Sequence, residues 1–228
     1  MNAAVMHPPL EHLRRFVEGD LTAGLSVALA AHIECCEVCQ RSREDVQSQV
    51  VANWDAAEVT LPQSDFPGML DAIVRQPQEH SVTAPRAVTR DIVLDDHVIS
   101  LPRALANIAA AGLNWKTVSN GIQAAEVELD SNTKCEFIYM QPGSKAPHHT
   151  HRGNEVMLVL DGVFRDEMGA YGVADFLMCD PNHRHQPFTE TGCLCFSVLE
   201  GPLVFTQGWL RLWNPIGQVL FQLRQWFR

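Results

Sequence analysis

The sequence has no excess of basic residues. It contains 17 Lys and Arg against 27 Asp and Glu, which gives a formal net charge of −10 and an isoelectric point near 5.4. Direct binding to nucleic acid needs a basic patch that neutralises phosphates. The composition therefore argues against direct contact with DNA and suits either a basic protein partner or simply solubility.

Long hydrophobic runs are missing as well. No stretch approaches the roughly 18 consecutive apolar residues of a membrane span. The N-terminal segment, MNAAVMHPPLEHLRR, lacks the basic start and apolar core of a secretory signal. We therefore expect no membrane span and a cytoplasmic location. Thiols stay reduced there, so the seven cysteines are interpreted as metal ligands or redox sensors before disulfides.

Two halves of the chain have different periodicities. Residues 1–78 carry helical patterns and predict four short helices, the first being LEHLRRFVE after two prolines. The polar segment 79–90 has no periodicity and is interpreted as a linker. Residues 91–228 contain short strands bounded by turn residues. The predicted fold class is α+β, a small four-helix unit joined to a double-sheet β-barrel.

Several local features follow from these patterns. Asp161-Gly162 is a strong hairpin turn signal. Apolar residues recur at helical spacing on one face of the third and fourth predicted helices: Val46, Val50 and Trp54, then Phe66, Leu70, Ile73 and Val74. The C-terminal extension after residue 206 has helical spacing too, at Trp213, Ile216, Leu220, Leu223 and Phe227. We interpret it as an element that closes the barrel, with a partner surface and then a membrane-surface helix as the alternatives.

The stretch HIECCEVC at residues 32–39 concentrates thiols and an imidazole. His32 and Cys36 are four residues apart, and Cys36 and Cys39 three apart, so on a helix, or across a tight break between two helices, their side chains share one side. Cys-x-x-Cys is a common zinc half-site because two thiolates can share one tetrahedral ion. The fourth ligand is His7 or, in competition, His12.

This stretch resembles the zinc-binding anti-sigma domain, a four-helix unit with an H-x3-C-x2-C motif and an upstream histidine. The resemblance implies a zinc site of His7, His32, Cys36 and Cys39, with Cys35 outside the pattern. It also implies that the helices bind an extracytoplasmic-function sigma factor and block its contacts with polymerase and promoter.

A second constellation lies in GSKAPHHTHRGNEVMLVLDG, residues 143–162. His149 and His151 are two residues apart, so they face the same side of a strand, and Glu155 joins them if the strand stays regular through Gly153. Two imidazoles and a carboxylate suit a divalent transition metal. The spacing is that of the first cupin motif, G-x5-H-x-H-x3-E-x6-G, and it resembles that family without departure.

A further ligand is expected from CDPNHRHQPF, which offers His183 and His185. The second cupin motif is usually P-x-G-x2-H, and its glycine is missing here, so spacing leaves both histidines open. His185 is preferred because RHQPF resembles the corresponding stretch of cupin-type anti-sigma proteins. Zinc or another divalent transition metal would fit, and four protein ligands on zinc leave no coordination position for a substrate.

Cys193 and Cys195 lie two apart on a predicted strand, so they share a face. Small buried thiols are common in cores, but inward placement near a metal would make both candidates for oxidation.

Together the two halves resemble the ChrR family of anti-sigma factors over essentially the whole chain. That resemblance implies sigma-factor binding, with release under oxidative stress of the singlet-oxygen or organic-peroxide type, and no catalysis. The alternative is a metal-dependent cupin enzyme, such as a dioxygenase, with a helical oligomerisation arm. A cupin storage protein is a third, weaker interpretation. The N-terminal H-x3-C-x2-C motif favours the regulator, because a simple cupin oxygenase does not need it.

Overall fold

A computed structural model describes residues 4–55, 66–76, 90–208, 211–212, 214–215 and 221. The N-terminal part, here the helical unit (residues 4–55 and 66–76), contains four helices: α1 Leu10–Glu18, α2 Ala23–Cys35, α3 Glu37–Asp55 and α4 Phe66–Val74. Gly19 ends α1 with φ 75°, a left-handed conformation that glycine adopts without steric cost. Thr22 caps α2 by accepting a hydrogen bond from Leu25 N at 3.4 Å.

The cupin unit (residues 90–208) contains one helix and twelve strands. They are β1 Asp91–Leu94, β2 His97–Ser100, α5 Arg103–Ala109, β3 Lys116–Ser119, β4 Ile122–Val127, β5 Lys134–Met140, β6 His149–His151, β7 Glu155–Gly162, β8 Phe164–Arg165, β9 Ala170–Tyr171, β10 Phe176–Cys179, β11 Cys193–Leu199 and β12 Leu203–Phe205. Six of them form the cupin sheet, in the order β10-β7-β11-β5-β4-β3. The other six strands form three two-stranded ribbons, β1-β2, β12-β6 and β8-β9. The predicted α+β fold class, with helices first and antiparallel strands second, is confirmed.

The two faces of the cupin sheet have different neighbours. Alternate residues of β7 and β11 belong to separate clusters, as expected for side chains that point to opposite faces. One face, with Leu158 and Phe196, shares a core with Leu25 and Leu29 of α2. The other face, with Val159 and Cys195, packs on Phe164 and its neighbours in the interior. The helical unit and the cupin sheet therefore have one continuous hydrophobic core.

Polar contacts hold α2 on the cupin unit at both ends of the helix. Gly24 N donates to Asp130 Oδ2 at 3.0 Å. A Cβ at Gly24 would lie 2.5 Å from the Cys135 sulfur, so only glycine allows this approach. At the other end of α2, Glu34 accepts from Arg103 N at 2.9 Å and lies 3.0 Å from the Arg90 guanidinium.

Two local predictions need correction. Gly162, with φ 72°, does not join β7 to β8 as a hairpin, because it pairs with Cys193 of β11. Also, the strand does not continue through Gly153: β6 pairs with β12, whereas β7 pairs with β10 and β11.

The predicted linker 79–90 lies outside the described residues except for Arg90, and so does most of the C-terminal extension. Of that extension, Asn214 is described, and its side chain hydrogen-bonds both backbone polar groups of Phe205. No single helix of the described residues is long and apolar enough to span a membrane; α1 and α2 pass such a test only as a pair, bent by 112°.

Candidate metal centres

Four predicted residues converge where the helical unit meets the cupin sheet. His7, His32, Cys36 and Cys39, here the helical cluster, place one ligand atom each within 4.8 Å of all the others. His32 Nε2 lies 3.2 Å from the Cys39 sulfur. His7 Nδ1 lies 3.5 Å from both sulfurs.

Short-range geometry explains the convergence. The motif lies at the break between α2 and α3, where Cys36 adopts an extended conformation at the C-cap. His32 and Cys39 thereby face each other from consecutive helices. His7 arrives from the segment before α1, and its alternative, His12, is not part of the cluster. The exposed Cys35 also lies outside it.

The tautomer of His32 is set by its surroundings. Its Nδ1 lies 2.8 Å from the carbonyl oxygen of Ala174, which can only accept, so Nδ1 carries the hydrogen and Nε2 presents a lone pair to the cluster. Burial lowers the pKa of His32. Burial and the adjacent Cys36 thiol raise the pKa of Cys39 to about 12. The thiol would thus stay protonated without a cation, and two imidazoles with two thiolates form a donor set that suits zinc.

A second set of predicted residues converges inside the cupin unit. His149, His151, Glu155 and His185, here the cupin cluster, are all buried and have one ligand atom each within 4.8 Å of the others. His149 and His151 come from β6, and Glu155 begins β7. An isolated antiparallel bridge between His149 and His185 brings in the fourth residue. His183, the competing candidate, is not part of this set.

Two lone pairs face each other in the cupin cluster. His149 Nδ1 lies 2.7 Å from Pro147 O, and His185 Nδ1 lies 3.2 Å from Asp166 Oδ2. Both contacts place the ring hydrogen on Nδ1. The two Nε2 atoms then oppose each other at 3.0 Å, an arrangement that needs a cation between or beside them.

Orphaned polar atoms support the same conclusion. His151 Nε2 and Glu155 Oε2 lie 3.0 Å apart, yet both are buried without a hydrogen bond. Buried polar groups are normally satisfied, so an unpartnered pair indicates a ligand. The donor set of three imidazoles and one carboxylate therefore fits a divalent transition metal.

Sequence reasoning missed the residues that support these ligands. The side chain of Asp166 is fully buried and also accepts a hydrogen bond from the Tyr171 hydroxyl at 3.0 Å. Ser197 donates to Glu155 Oε1 at 3.1 Å. Such partners orient metal ligands. Neither could be found from motif spacing, since Asp166 follows β8 and Ser197 lies on a strand distant in sequence.

The two predicted redox thiols also face inwards. Cys193 and Cys195 are each 1% exposed, on the same face of β11 as Ser197. Contact with the Cys193 thiol and burial raise the pKa of Cys195. The Cys195 thiol is therefore protonated at neutral pH, and its raised pKa is the opposite of the low pKa of an exposed redox sensor.

Metal retention at low pH follows from the shifted pKa values of the cupin cluster. Burial lowers the pKa of His149 to about 4 and also lowers that of His185, so protons compete with a metal only well below the usual histidine pKa of about 6.5. We expect the cupin metal to remain bound at pH 5.5 and to leave as pH approaches 4. Metal content after desalting at each pH measures this. His97→Asn, an exposed histidine elsewhere, is the matched control, and release centred near pH 6.5 would contradict the expectation.

Three histidines and a glutamate that converge inside a fold of antiparallel strands form a cupin-like metal-ligand set, here joined to a helical Cys-His unit. Residues 104–203 match the family model of the ChrR cupin-like domain.

Two relatives extend the similarity beyond that domain. The chain is 27% identical to Anti-sigma-E factor ChrR of Cereibacter sphaeroides over 214 residues, covering 91% of this chain and 95% of that protein. It also resembles a chain in the crystal structure of Rhodobacter sphaeroides SigE in complex with the anti-sigma ChrR. The TM-score is 0.69 at 22% identity, covering 86% of this chain and 99% of the other. The ChrR-type resemblance predicted from the two motifs is confirmed.

Proposed function

We propose that this chain is an anti-sigma factor. Its helical unit binds an extracytoplasmic-function sigma factor, and its cupin unit controls release under oxidative stress of the singlet-oxygen or organic-peroxide type. Similarity to Anti-sigma-E factor ChrR along 91% of the chain supports a binding function rather than catalysis. Binding of a sigma factor also implies a cytoplasmic location.

One structural observation carries the proposal: α4 exposes its whole apolar side. Its five large apolar residues are all more than half exposed, namely Phe66, Met69, Leu70, Ile73 and Val74. A nine-residue helix is marginal in water without packing. Such a contiguous apolar surface marks an interaction site, and helices of this kind bind by placing their apolar face in a partner's groove.

A second apolar surface lies on the same unit. Phe16, Val50, Val51 and Trp54 line a cleft of about 250 Å³ between α1 and α3. Trp54 at its edge is 66% exposed. The net charge of −10 complements the basic surface that a sigma factor presents to promoter DNA.

The metals have distinct proposed roles. In the helical cluster, His7, His32, Cys36 and Cys39 would hold structural zinc that pins three chain segments together. In the cupin cluster, His149, His151, Glu155 and His185 would hold zinc or another divalent transition metal; iron, manganese and nickel also fit these ligands.

The proposed route of release starts at the cupin cluster. His185 contacts Asp166, which holds the Tyr171 hydroxyl. The next residue, Gly172, donates its N–H to Asp175 Oδ2 at 2.8 Å. A change in metal geometry at His185 would therefore reach the turn 172–175. Oxidation of Cys193 or Cys195, which share a strand face with Ser197, would disturb Glu155 from the other side.

The turn 172–175 in turn supports the helical cluster. Asp175 Oδ1 accepts from Val5 N at 2.6 Å and Met6 N at 2.9 Å, directly before His7. Ala174, with φ 71°, offers its carbonyl to His32. A left-handed conformation is uncommon for a residue with a Cβ, and such strain often accompanies function. Movement of this turn would loosen two ligands of the helical cluster together.

Sigma binding is tested with the full chain, because the two units share one core. We expect the double variant Leu70→Glu, Ile73→Glu to weaken binding to a purified extracytoplasmic-function sigma factor by at least about 100-fold in calorimetry. Charges would replace two central apolar contacts. Val98→Glu is the matched control, since Val98 is 66% exposed on β2 of the cupin unit. Equal affinity of the double variant and the parent would refute the docking surface.

The sensing part of the proposal uses the same complex. Peroxide or singlet oxygen should free sigma from the parent complex, and Cys193→Ser should slow that release. The parent and Cys193→Ser complexes could dissociate at the same rate while the Leu70→Glu, Ile73→Glu variant still binds sigma more weakly. That result would show that the chain binds sigma but does not sense the oxidant through the Cys193 thiol.

A further inference from the structure

A third cluster of ligand-type side chains lies beside the cupin cluster. Cys179 at the end of β10, His183 and His185 have one ligand atom each within 4.8 Å of the others. Cys179 is 2% exposed. It is the last residue of β10 and pairs with Glu155, the first residue of β7, so the two lie side by side at the same end of these strands. The cupin motif does not account for Cys179 or His183.

The two ring nitrogens of His185 point towards different groups of side chains. Its Nε2 faces the cupin cluster, 3.0 Å from His149 Nε2. Its Nδ1 faces the opposite way, towards Asp166 Oδ2, which also lies 3.4 Å from His183 Nε2. One imidazole therefore contacts ligand-type groups on both sides.

Access to solvent differs between the two groups. All four residues of the cupin cluster are buried, whereas the side chain of His183 is 17% exposed. The third cluster thus lies between the cupin cluster and the surface. A thiol, two imidazoles and a buried carboxylate form a softer donor set than three imidazoles and a carboxylate.

We infer that Cys179, His183 and His185 form a second metal position beside the cupin cluster, which takes a thiophilic divalent cation such as zinc or cadmium. His185 is shared with the cupin cluster, and the Asp166 carboxylate is the nearby oxygen donor. Binding replaces the Cys179 S–H bond with a sulfur–metal bond and the His185 Nδ1–H bond with a nitrogen–metal bond. His185 then bridges the two positions as an imidazolate, and both protons go to solvent. The position is open to exchange because His183 reaches the surface.

Cadmium titration of the purified chain, with its metals in place, tests this position. Total cadmium uptake is measured by elemental analysis, and thiolate ligation by ultraviolet charge-transfer absorption. We expect the parent to bind one cadmium per chain more than Cys179→Ser does. His183→Asn should bind that ion at least about 10-fold more weakly.

Cys193→Ser is the matched control, because Cys193 is equally buried but lies outside the cluster. It should take up as much cadmium as the parent. The inference is overturned if Cys179→Ser takes up as much cadmium as the parent, or if Cys193→Ser loses the same ion. If Cys179→Ser does not fold, the test uses His183→Asn, whose substituted side chain is more exposed. A cadmium affinity of His183→Asn equal to that of the parent overturns the inference.

Discussion

Replacing Cys39 by serine should remove one zinc per chain and strongly lower the melting temperature of the chain. Cys39 is 2% exposed, and its sulfur contacts both imidazoles of the helical cluster. Structural zinc sites contribute roughly 10–16 kcal/mol in zinc-finger peptides, so losing a thiolate ligand removes much of the free energy that holds three chain segments together. Elemental analysis and thermal unfolding monitored by circular dichroism measure the effect.

Cys35→Ser is the matched control, since Cys35 is exposed and lies four residues before Cys39. We expect that variant to retain its zinc and its melting temperature. Sigma binding should weaken in Cys39→Ser alone. A Cys39→Ser protein with unchanged zinc content would mean that the four converging residues do not bind the ion.

Asp175→Asn should have the second-largest effect, although Asp175 belongs to neither cluster. Its carboxylate is 4% exposed and accepts hydrogen bonds from Val5 N, Met6 N and Gly172 N. Asparagine has one acceptor oxygen, so its amide would face an N–H group as a second donor. A buried donor left unsatisfied costs about 1–3 kcal/mol. We expect the free energy of unfolding to fall by roughly 2–4 kcal/mol.

The same variant should release zinc from the helical cluster faster. Changes to residues that position metal ligands typically cost about 10–100-fold in metal affinity, and Asp175 holds the backbone directly before His7. Transfer of zinc to a chromogenic chelator measures the rate of zinc release. Hydrogen exchange at the Val5 and Met6 amides shows whether the N-terminal segment before His7 stays bound to residue 175. Asp161→Asn, exposed on β7, is the control.

A double-mutant cycle between Asp175→Ala and deletion of residues 2–6 isolates the energy of the hydrogen bonds between Asp175 and the N-terminal segment. We expect a coupling of about 1.5–3 kcal/mol, typical of hydrogen bonds to a charged group. Additive effects would show that Asp175 supports only its own turn, and the proposed route to His7 would then fail.

Local chemistry could be predicted from the sequence because it depends on spacing. Two histidines two apart on a strand converge by strand geometry, and a histidine four residues before a Cys-x-x-Cys converges with it on a helix or across a tight break between helices. The core positions Val46 and Val50 were also predicted from periodicity and are buried. Trp54, on the same predicted face, is exposed. Periodicity identifies an apolar face but cannot tell whether this chain or another protein covers it.

What the sequence determined by itself was each short-range ligand set: His32, Cys36 and Cys39 in one, and His149 and His151 in the other. Spacing alone left His7 or His12 and His183 or His185 open; the family resemblance favoured His7 and His185, and the tertiary structure places these two in the sets. The tertiary structure alone brings Asp175 into contact with the N-terminal segment, where Met6 lies 169 residues away in sequence. The physical reason is that these contacts depend on how α2 packs on the cupin sheet and how distant strands pair. Both are set by burial of one shared core, which no local spacing encodes.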